Sequence, residues 1–470
     1  FYMFTAKPDI DSAFKLQKES FLNEETTSLN ERISDLKKIK RALLKYQHEL
    51  FSAISDDFGN RNQMESLFGD ILPLINTINY HIKKLPFWMR PSRRKPGLLL
   101  SPAKVEIHYQ PLGVIGIIVP WNFPVQLSIH PLVTALSSGN KAMIKLSEFT
   151  PKTNMILQKL LDECFDKEKV MLVHGDTEIA EYFTTLPFDH ILFTGSTSIG
   201  KKVMKAAAEN LTPVTLELGG KSPVIICDDI KIHTAVERLI LGKCLNAGQI
   251  CVSPDYIFCP RDKVDKFIKE YKSKFEKMFG KINSNNDYSS IINEKQFTRL
   301  INLIEDAKNK GAEIISCSNE NFDTEKRKMS TQLLTGVTEE MRVMQEEVFG
   351  PILPIMPYSD LSDVISYIND RPKPLALYIM SFNKKVQNLL INKTQSGGIC
   401  INETAWHVAI DDAPFGGIGA SGMGQYHGKE GFLTFSKAKT VMTRGRFGSG
   451  RFIHPPYNNF LHKLLMKFYS

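Results

Sequence analysis

Short apolar runs without polar alternation, each followed by a stretch of helical periodicity, constrain this chain more than any other feature. They fall at 114–119, 142–146, 170–173 and 190–194, the last followed by a helix from about residue 198. A strand that is apolar on both faces is buried on both faces, and in a strand-helix alternation this means a parallel sheet covered by helices. The alternation restarts beyond Leu218 with 223–227, a helix over 231–245, 256–259, a further helix to Gly280 and later units through 376–381. Two α/β units are expected, the first with an architecture that binds nucleotides at its strand ends. At 470 residues the chain exceeds one ordinary core and can bury a cleft between units.

Ahead of these units, Ile33, Leu36, Leu43 and Leu50 recur at helical spacing and predict an amphipathic surface helix over 28–58. A helical stretch then runs to about Trp88, and the Pro/Arg-rich segment 91–102 reads as an exposed connection. The charged segment 319–330 reads as a surface loop. A net charge of +8 suits an anionic cofactor but is too dilute to imply nucleic acid. The seven cysteines (Cys164, Cys227, Cys244, Cys251, Cys259, Cys317 and Cys400) are odd in number and contain no C-x-x-C pair, which fits a reducing compartment. The histidines lack metal-binding spacing, so no metal is expected. No run approaches the roughly 20 apolar residues that span a bilayer, and the start lacks a signal-peptide pattern. A cytoplasmic chain is expected, with any segment ahead of Phe1 left open.

The turn Phe193-Thr-Gly-Ser-Thr-Ser-Ile-Gly-Lys-Lys202 joins a buried strand to a helix, so its amides and the helix dipole suit a phosphate. Two readings stand. Gly195-x-x-x-x-Gly200-Lys201 lacks one residue of a P-loop, and the apolar run ending in Asp228 imitates the strand that assists Mg²⁺, as in an NTPase. Against this, Lys202 occupies the place of the Mg²⁺-ligating hydroxyl, and the G-x-G-x-x-G dinucleotide fingerprint is missing as well.

Further segments change the balance: Val119-Pro-Trp-Asn-Phe-Pro124, Thr215-Leu-Glu-Leu-Gly-Gly-Lys-Ser-Pro223, Asn246-Ala-Gly-Gln-Ile-Cys-Val252, Glu346-Glu-Val-Phe-Gly-Pro351 and Pro414-Phe-Gly-Gly-Ile-Gly-Ala-Ser-Gly422. With 193–200 they resemble, in order and in spacing, the aldehyde dehydrogenase superfamily over roughly 105–440. Ile107-His-Tyr-Gln-Pro-Leu-Gly113 and Ser421-Gly-Met-Gly-Gln-Tyr-His-Gly428 look like its class 3 branch, and His407-Val-Ala-Ile-Asp-Asp412 resembles bacterial coniferyl aldehyde dehydrogenases.

The resemblance implies an α/β fold. A Rossmann-like NAD(P)-binding domain spans 1–216, with an oligomerisation strand at 103–112, and a catalytic domain spans 217–400. A return segment with a second oligomerisation strand covers 401–443, and a tail covers 444–470. It implies NAD(P)-dependent oxidation of an aldehyde, aromatic or of medium to long chain, through a thioester on Cys251, with NAD or NADP not distinguished. Lys145 and Glu148 would lie near the adenosine ribose, Gly195 and Ser196 near the pyrophosphate, and Glu347 with Phe349 at the nicotinamide ribose and ring. Trp121 and Leu218 join the cofactor-binding set. A homodimer is implied, in which strands near 105–109 and 432–441 extend the partner's sheet.

The residues' own chemistry agrees. An aldehyde carbon needs a nucleophile before hydride can leave, and the Cys251 thiolate can attack and later depart from a thioester. Asn122 can offer its amide NH₂ to the resulting oxyanion, with the Cys251 backbone N–H as partner. Glu217, between two leucines near a strand end, can be held near neutral pKa by burial and activate water. A coenzyme A-acylating enzyme, in which a thiol replaces that water, and a non-catalytic crystallin-like role remain as rivals beside the NTPase. In the tail, Phe460, Leu461, Leu464, Leu465 and Phe468 share one helical face. That helix is expected to border the substrate entrance, with weak membrane-surface contact through 456–470 as the alternative.

Overall fold

The helix expected over 28–58 forms at Leu29–Phe58, and its ends explain why. Ser28 Oγ accepts from the Glu31 amide (3.3 Å) while Glu31 Oε2 accepts from the Ser28 amide (2.6 Å), a reciprocal cap that satisfies two otherwise orphan donors. Gly59 stops it in the left-handed region at φ 85°, which glycine enters without steric cost. Its buried face, including Leu36, Leu43 and Leu50, packs mainly against the helices Pro151–Cys164, Leu72–Trp88 and Gln126–Ser137 and belongs to the core that also holds Ile115 and Ile144. Ile33 faces a smaller cluster with Leu85, Trp88 and Phe432. The computed structural model describes residues 4–97, 100–320, 322–446, 454–457 and 459–469, apart from the side chains of 465, 468 and 469.

The strands are β1 (Ser92–Arg94), β2 (Lys104–Pro111), β3 (Val114–Ile118), β4 (Lys141–Lys145), β5 (Val170–Val173), β6 (His190–Gly195), β7 (Val214–Leu218), β8 (Pro223–Ile226), β9 (Tyr256–Pro260), β10 (Glu313–Ser316), β11 (Phe322–Asp323), β12 (Lys328–Met329), β13 (Gln332–Thr335), β14 (Ile352–Tyr358), β15 (Ala376–Met380), β16 (Gly398–Ile401), β17 (Gly422–Met423) and β18 (Ser436–Thr443). One sheet runs β17-β7-β6-β3-β4-β5, parallel except for β17, and a second runs β10-β13-β14-β9-β8-β15-β16, parallel except for β10. The residues of β3, β4, β5, β8, β9 and β15 are all buried, as the apolar runs require in all but β4, which begins and ends with the buried Lys141 and Lys145. In the first sheet the chain winds from β3 outward to β4 and β5, then returns to lay β6 against the other side of β3. Ligands of open parallel sheets bind outside the carboxyl ends at such a reversal. The loop leaving β3 carries Asn122, and Gly195 is the last residue of β6.

Several expectations are corrected. The boundary between 216 and 217 falls inside β7, which pairs with β6 through Leu218, so the crossing between sheets occurs over 219–222. The exposed connection at 91–102 contains β1, which pairs with β2 because extended Ser92–Arg94 finds a partner edge there. The segment 319–330 is not simply a loop: β11 and β12 form a hairpin whose Lys328 and Met329 are buried. Phe432 belongs to the helix Gly428–Thr434, and the late strand starts only at Ser436. β2 is flanked on both edges within its own chain, by β1 and β18. It therefore has no edge left for a partner's sheet, and of the two expected strands only β18 lies at an edge. The tail does form a helix, Phe460–Tyr469, but it packs differently from the expectation. Phe460 is 80% exposed, Leu464 53% and Met466 70%, while the Leu465 and Phe468 side chains lie outside the described residues.

Candidate active site

Two cavities meet between the sheets, and Asn122, Glu217, Cys251 and Thr194 line both. One is walled mainly by apolar side chains, among them Phe123, Leu127, Leu241, Leu245, Ile250, Phe415 and Tyr426, and opens past half-exposed Phe68 and Trp406. The other runs from this junction to the glycine-rich turn and is lined by Trp121, Gly195, Ser196, Gly219, Glu347 and Phe349. The three residues expected to carry chemistry thus come together from β7, the loop after β3 and the loop before β9.

Cys251 sits beyond an unusual turn. Asn246, Ala247 and Gly248 are all left-handed, with φ of 50°, 51° and 75°. Non-glycine residues in that region cost on the order of 1–3 kcal/mol each and persist only where surroundings fix them. Here Glu65 Oε1 accepts from the Asn246 amide (3.1 Å), Asn246 Nδ2 donates to the carbonyls of Asn122 and Gln249 (both 3.2 Å), and Gln249 Nε2 donates to the Asn246 and Ser290 carbonyls (2.9 and 3.1 Å). Gly248 is obligatory for a second reason, since a Cβ there would lie 2.6 Å from the Gly350 carbonyl oxygen. At the far end, buried Lys243 donates from Nζ to the Pro254 carbonyl at 2.8 Å. Burial pushes the Cys251 thiol up to about 12, with Glu347 and Glu217 acting in the same direction and the amides of Cys251 and Val252 opposing. The resting thiol is therefore protonated.

Asn122 is 2% exposed, and its Nδ2 donates to the Gln249 carbonyl at 3.1 Å, which leaves its second amide hydrogen for the cavity. Glu217 is 4% exposed, neither carboxyl oxygen has a hydrogen-bond partner, and burial raises its pKa well above the ordinary carboxylate value. Such a group is neutral at rest and strongly basic once ionised.

The glycine turn leads into a capped helix N-terminus. Ser196 caps the helix Thr197–Ala208, accepting from the Ile199 amide at 3.5 Å, and Gly200 lets that helix approach β7 so closely that a Cβ would sit 2.6 Å from Leu218 Cδ2. Glu347 fills the space vacated by Gly219, where a Cβ would lie 2.1 Å from its Oε2; burial lifts its carboxyl to about 8. Phe349, itself left-handed at φ 47°, meets Trp121 edge-on at 5.3 Å. Leu218 lines the apolar cavity rather than the cleft. Lys145 and Glu148 are not among the walls of either cavity: buried Lys145 donates from Nζ to the Leu146 carbonyl (2.6 Å) and lies 3.9 Å from Glu148. None of the described tail residues lines either cavity. Among the described residues no group of three or more His, Cys, Asp or Glu could hold a metal, and no helix is long and apolar enough to cross a membrane.

The sequence reading missed Glu65, Phe68, Gln249 and Trp406. Only Gln249 stood in a recognised motif, while the others lie in segments whose pattern signals nothing beyond helix or loop.

The chain is also similar to known proteins over nearly its whole length. The model of the "Aldehyde dehydrogenase family" matches residues 2–441. A "Probable coniferyl aldehyde dehydrogenase" of Pseudomonas aeruginosa is 47% identical over 460 residues, covering 98% of this chain and 96% of that protein. Among solved structures, a substrate-bound state of Staphylococcus aureus AldH superposes with a TM-score of 0.93 at 38% identity, over 98% of this chain and 99% of that one. An NAD⁺ complex of a Bacillus cereus aldehyde dehydrogenase gives 0.85 at 26% identity, over 94% and 89%.

Proposed function

The chain belongs to the aldehyde dehydrogenase family and is an oxidoreductase acting on aldehydes, and from that premise we propose a substrate class, a cofactor site and roles for three residues. The substrate is an aldehyde with an aromatic or medium-to-long apolar body, of which a coniferyl aldehyde-like compound is one form, and the product is the carboxylic acid. The observation that carries the reading is the junction at which an apolar cavity and the cleft from the glycine turn share Asn122, Glu217 and Cys251.

The cleft fits a nicotinamide dinucleotide. The first turn of helix Thr197–Ala208 offers amides to a pyrophosphate, with Gly195 and Ser196 beside it. Glu347 would take the nicotinamide ribose, with Phe349 and Trp121 against the ring, and Lys145 with Glu148 beyond, towards the adenosine ribose. When bound there, NAD(P)⁺ supplies the hydride acceptor and a positive charge close to the thiol. That charge matters because Cys251 alone is held protonated.

With its proton released to solvent, Cys251 Sγ bonds to the carbonyl carbon, and the carbonyl π pair moves to oxygen. Asn122 Nδ2 and the Cys251 backbone N–H donate to that oxyanion. After oxidation the acyl group remains on sulfur as a thioester. Glu217, once its own proton has passed to solvent, takes a proton from water as the carboxylate, and the water oxygen bonds to the acyl carbon. The C–S bond then breaks, and the acid leaves. Glu217 in this position favours water over coenzyme A as the acceptor, and Lys202 in place of a Mg²⁺-ligating hydroxyl disfavours an NTPase. The edge of β18 is the element through which a homodimer would form.

The test is NAD(P)H formation at 340 nm with a panel of aldehydes. Aromatic and medium-chain aldehydes should exceed acetaldehyde in kcat/KM, since each buried methylene contributes about 0.8 kcal/mol. Cys251→Ala should abolish turnover with cofactor binding intact. A preference for acetaldehyde would overturn the substrate class, and retention of more than a few per cent of kcat would overturn the nucleophile.

A further inference from the structure

Arg61 and Asp70 form an ion pair that is almost wholly removed from solvent, at 1% and 0% exposed, with Nη2 to Oδ2 at 2.9 Å. The guanidinium lies against the rings of Phe58 and Phe123, with centroids 5.2 and 4.6 Å away, and its Nε has no partner. Burying two charges so incompletely satisfied is poor economy for stability, since apolar replacements of such pairs are often neutral or stabilising. The remaining contacts of the pair indicate what it does instead.

Arg61 Nη1 donates to the backbone carbonyl of Asn122 at 2.8 Å. Asp70 Oδ1 accepts from the amides of Val125 and Gln126 at 3.1 and 3.0 Å. The helix Gln126–Ser137 has no cap from its own side chains, so Asp70 caps it from a different helix. Residues 122–126 are thus gripped at both ends by one ion pair. Asp70 reaches them because Leu67–Ile71 is a π-helical turn inserted before the helix Leu72–Trp88. One residue fewer would rotate Asp70 about 100° around that helix. Its neighbours Phe68 and Gly69 are walls of the apolar cavity, and a Cβ on Gly69 would come within 2.6 Å of Phe123 Cε1 and 3.2 Å of Arg61 Nη2.

We propose that Arg61 and Asp70 are positioning residues that hold Asn122 as the oxyanion donor, and that the π-helical turn links this hold to the wall of the substrate cavity. The proposal rests on the role given to Asn122 above. Arg61 touches no reacting atom: it fixes the Asn122 peptide, and so the direction of the side-chain NH₂, from behind.

A double-mutant cycle read by the single-turnover rate of NAD(P)H formation tests this. Arg61→Lys keeps the charge but loses the planar fork that serves Asn122 and Asp70 together. It should slow the single-turnover rate about tenfold or more, with KM for the cofactor changed less than twofold. In an Asn122→Ala background the same substitution should slow the rate less than twofold, because the group it positions is gone. Equal slowing in both backgrounds, or a rate unchanged by Arg61→Lys while Asn122→Ala is slow, overturns the proposal alone. An unchanged rate in Asn122→Ala by itself overturns the oxyanion reading and this proposal with it. If Arg61→Lys does not fold, Asp70→Asn, nearly isosteric, carries the same cycle; failure of both to fold assigns the pair to folding and overturns the proposal.

Discussion

At Glu217 one environment serves two opposite needs. Burial without a hydrogen-bond partner keeps the carboxyl neutral at rest, which spares the site a buried charge, yet under the proposed mechanism makes its carboxylate a strong base for the water that resolves the thioester. Glu217→Gln should therefore leave a pre-steady-state burst of NAD(P)H and slow the steady rate by about tenfold or more; equal loss of burst and steady rate would place Glu217 in an earlier step. Glu347 gives a stability prediction. Its folded pKa of about 8 stands above the ordinary 4.5, so between about pH 5 and 8 the folded chain keeps a proton that the unfolded chain has lost. Stability from this group is complete below pH 4.5 and falls as pH rises towards 8. Glu347→Gln removes that slope, so without added cofactor the Tm of the variant should gain on the wild type from pH 5 to pH 8.5. A constant difference across that range would contradict the shift.

Among the elements, the two ends of the chain behave differently although both carry amphipathic helices. Helix Leu29–Phe58 buries its apolar face in the core of the first sheet, whereas Phe460–Tyr469 leaves Phe460, Leu461, Leu464 and Met466 exposed. Periodicity reports that a helix has an apolar face, not what covers it. Deletion of residues 456–470 should accordingly leave kcat/KM for an aromatic aldehyde within about twofold of the full chain. Flotation with anionic liposomes then reads the surface role directly: loss of flotation on deletion would give the exposed face a membrane partner, and a raised KM for a long-chain aldehyde would return the helix to the substrate entrance. The loop before β9 is the counterexample to reading by pattern. Asn246-Ala-Gly248 looks like the end of a helix, but a left-handed turn there aims Cys251 at the junction, fixed by Glu65 from a helix far away in sequence.

For the whole molecule, the two large sheets enclose the cavities and the small one carries the edge proposed for assembly. The small sheet β1-β2-β18 leaves β18 at an edge, and its exposed residues include Lys437 and Lys439. Sedimentation equilibrium should give twice the 53.3 kDa chain mass, and a monomer at micromolar concentration would overturn the dimer. How much of this was legible beforehand divides by range of interaction. Unbroken apolar runs dictated buried parallel strands, because no other element hides both faces of so short a segment, and β3, β5, β6, β8 and β15 lie where those runs do. The ordered motifs carried the family, because their spacing reflects one chain path. What the sequence could not contain were agreements between distant residues. The hold of Arg61 on Asn122, the opposition of Glu347 to Gly219 and the pairing of β1 with β2 each need two segments brought together by the whole fold. So does the protonation state of the site: Cys251 and Glu217 acquire their shifted pKa values from desolvation, which no local pattern encodes and only the closed interface between the sheets creates.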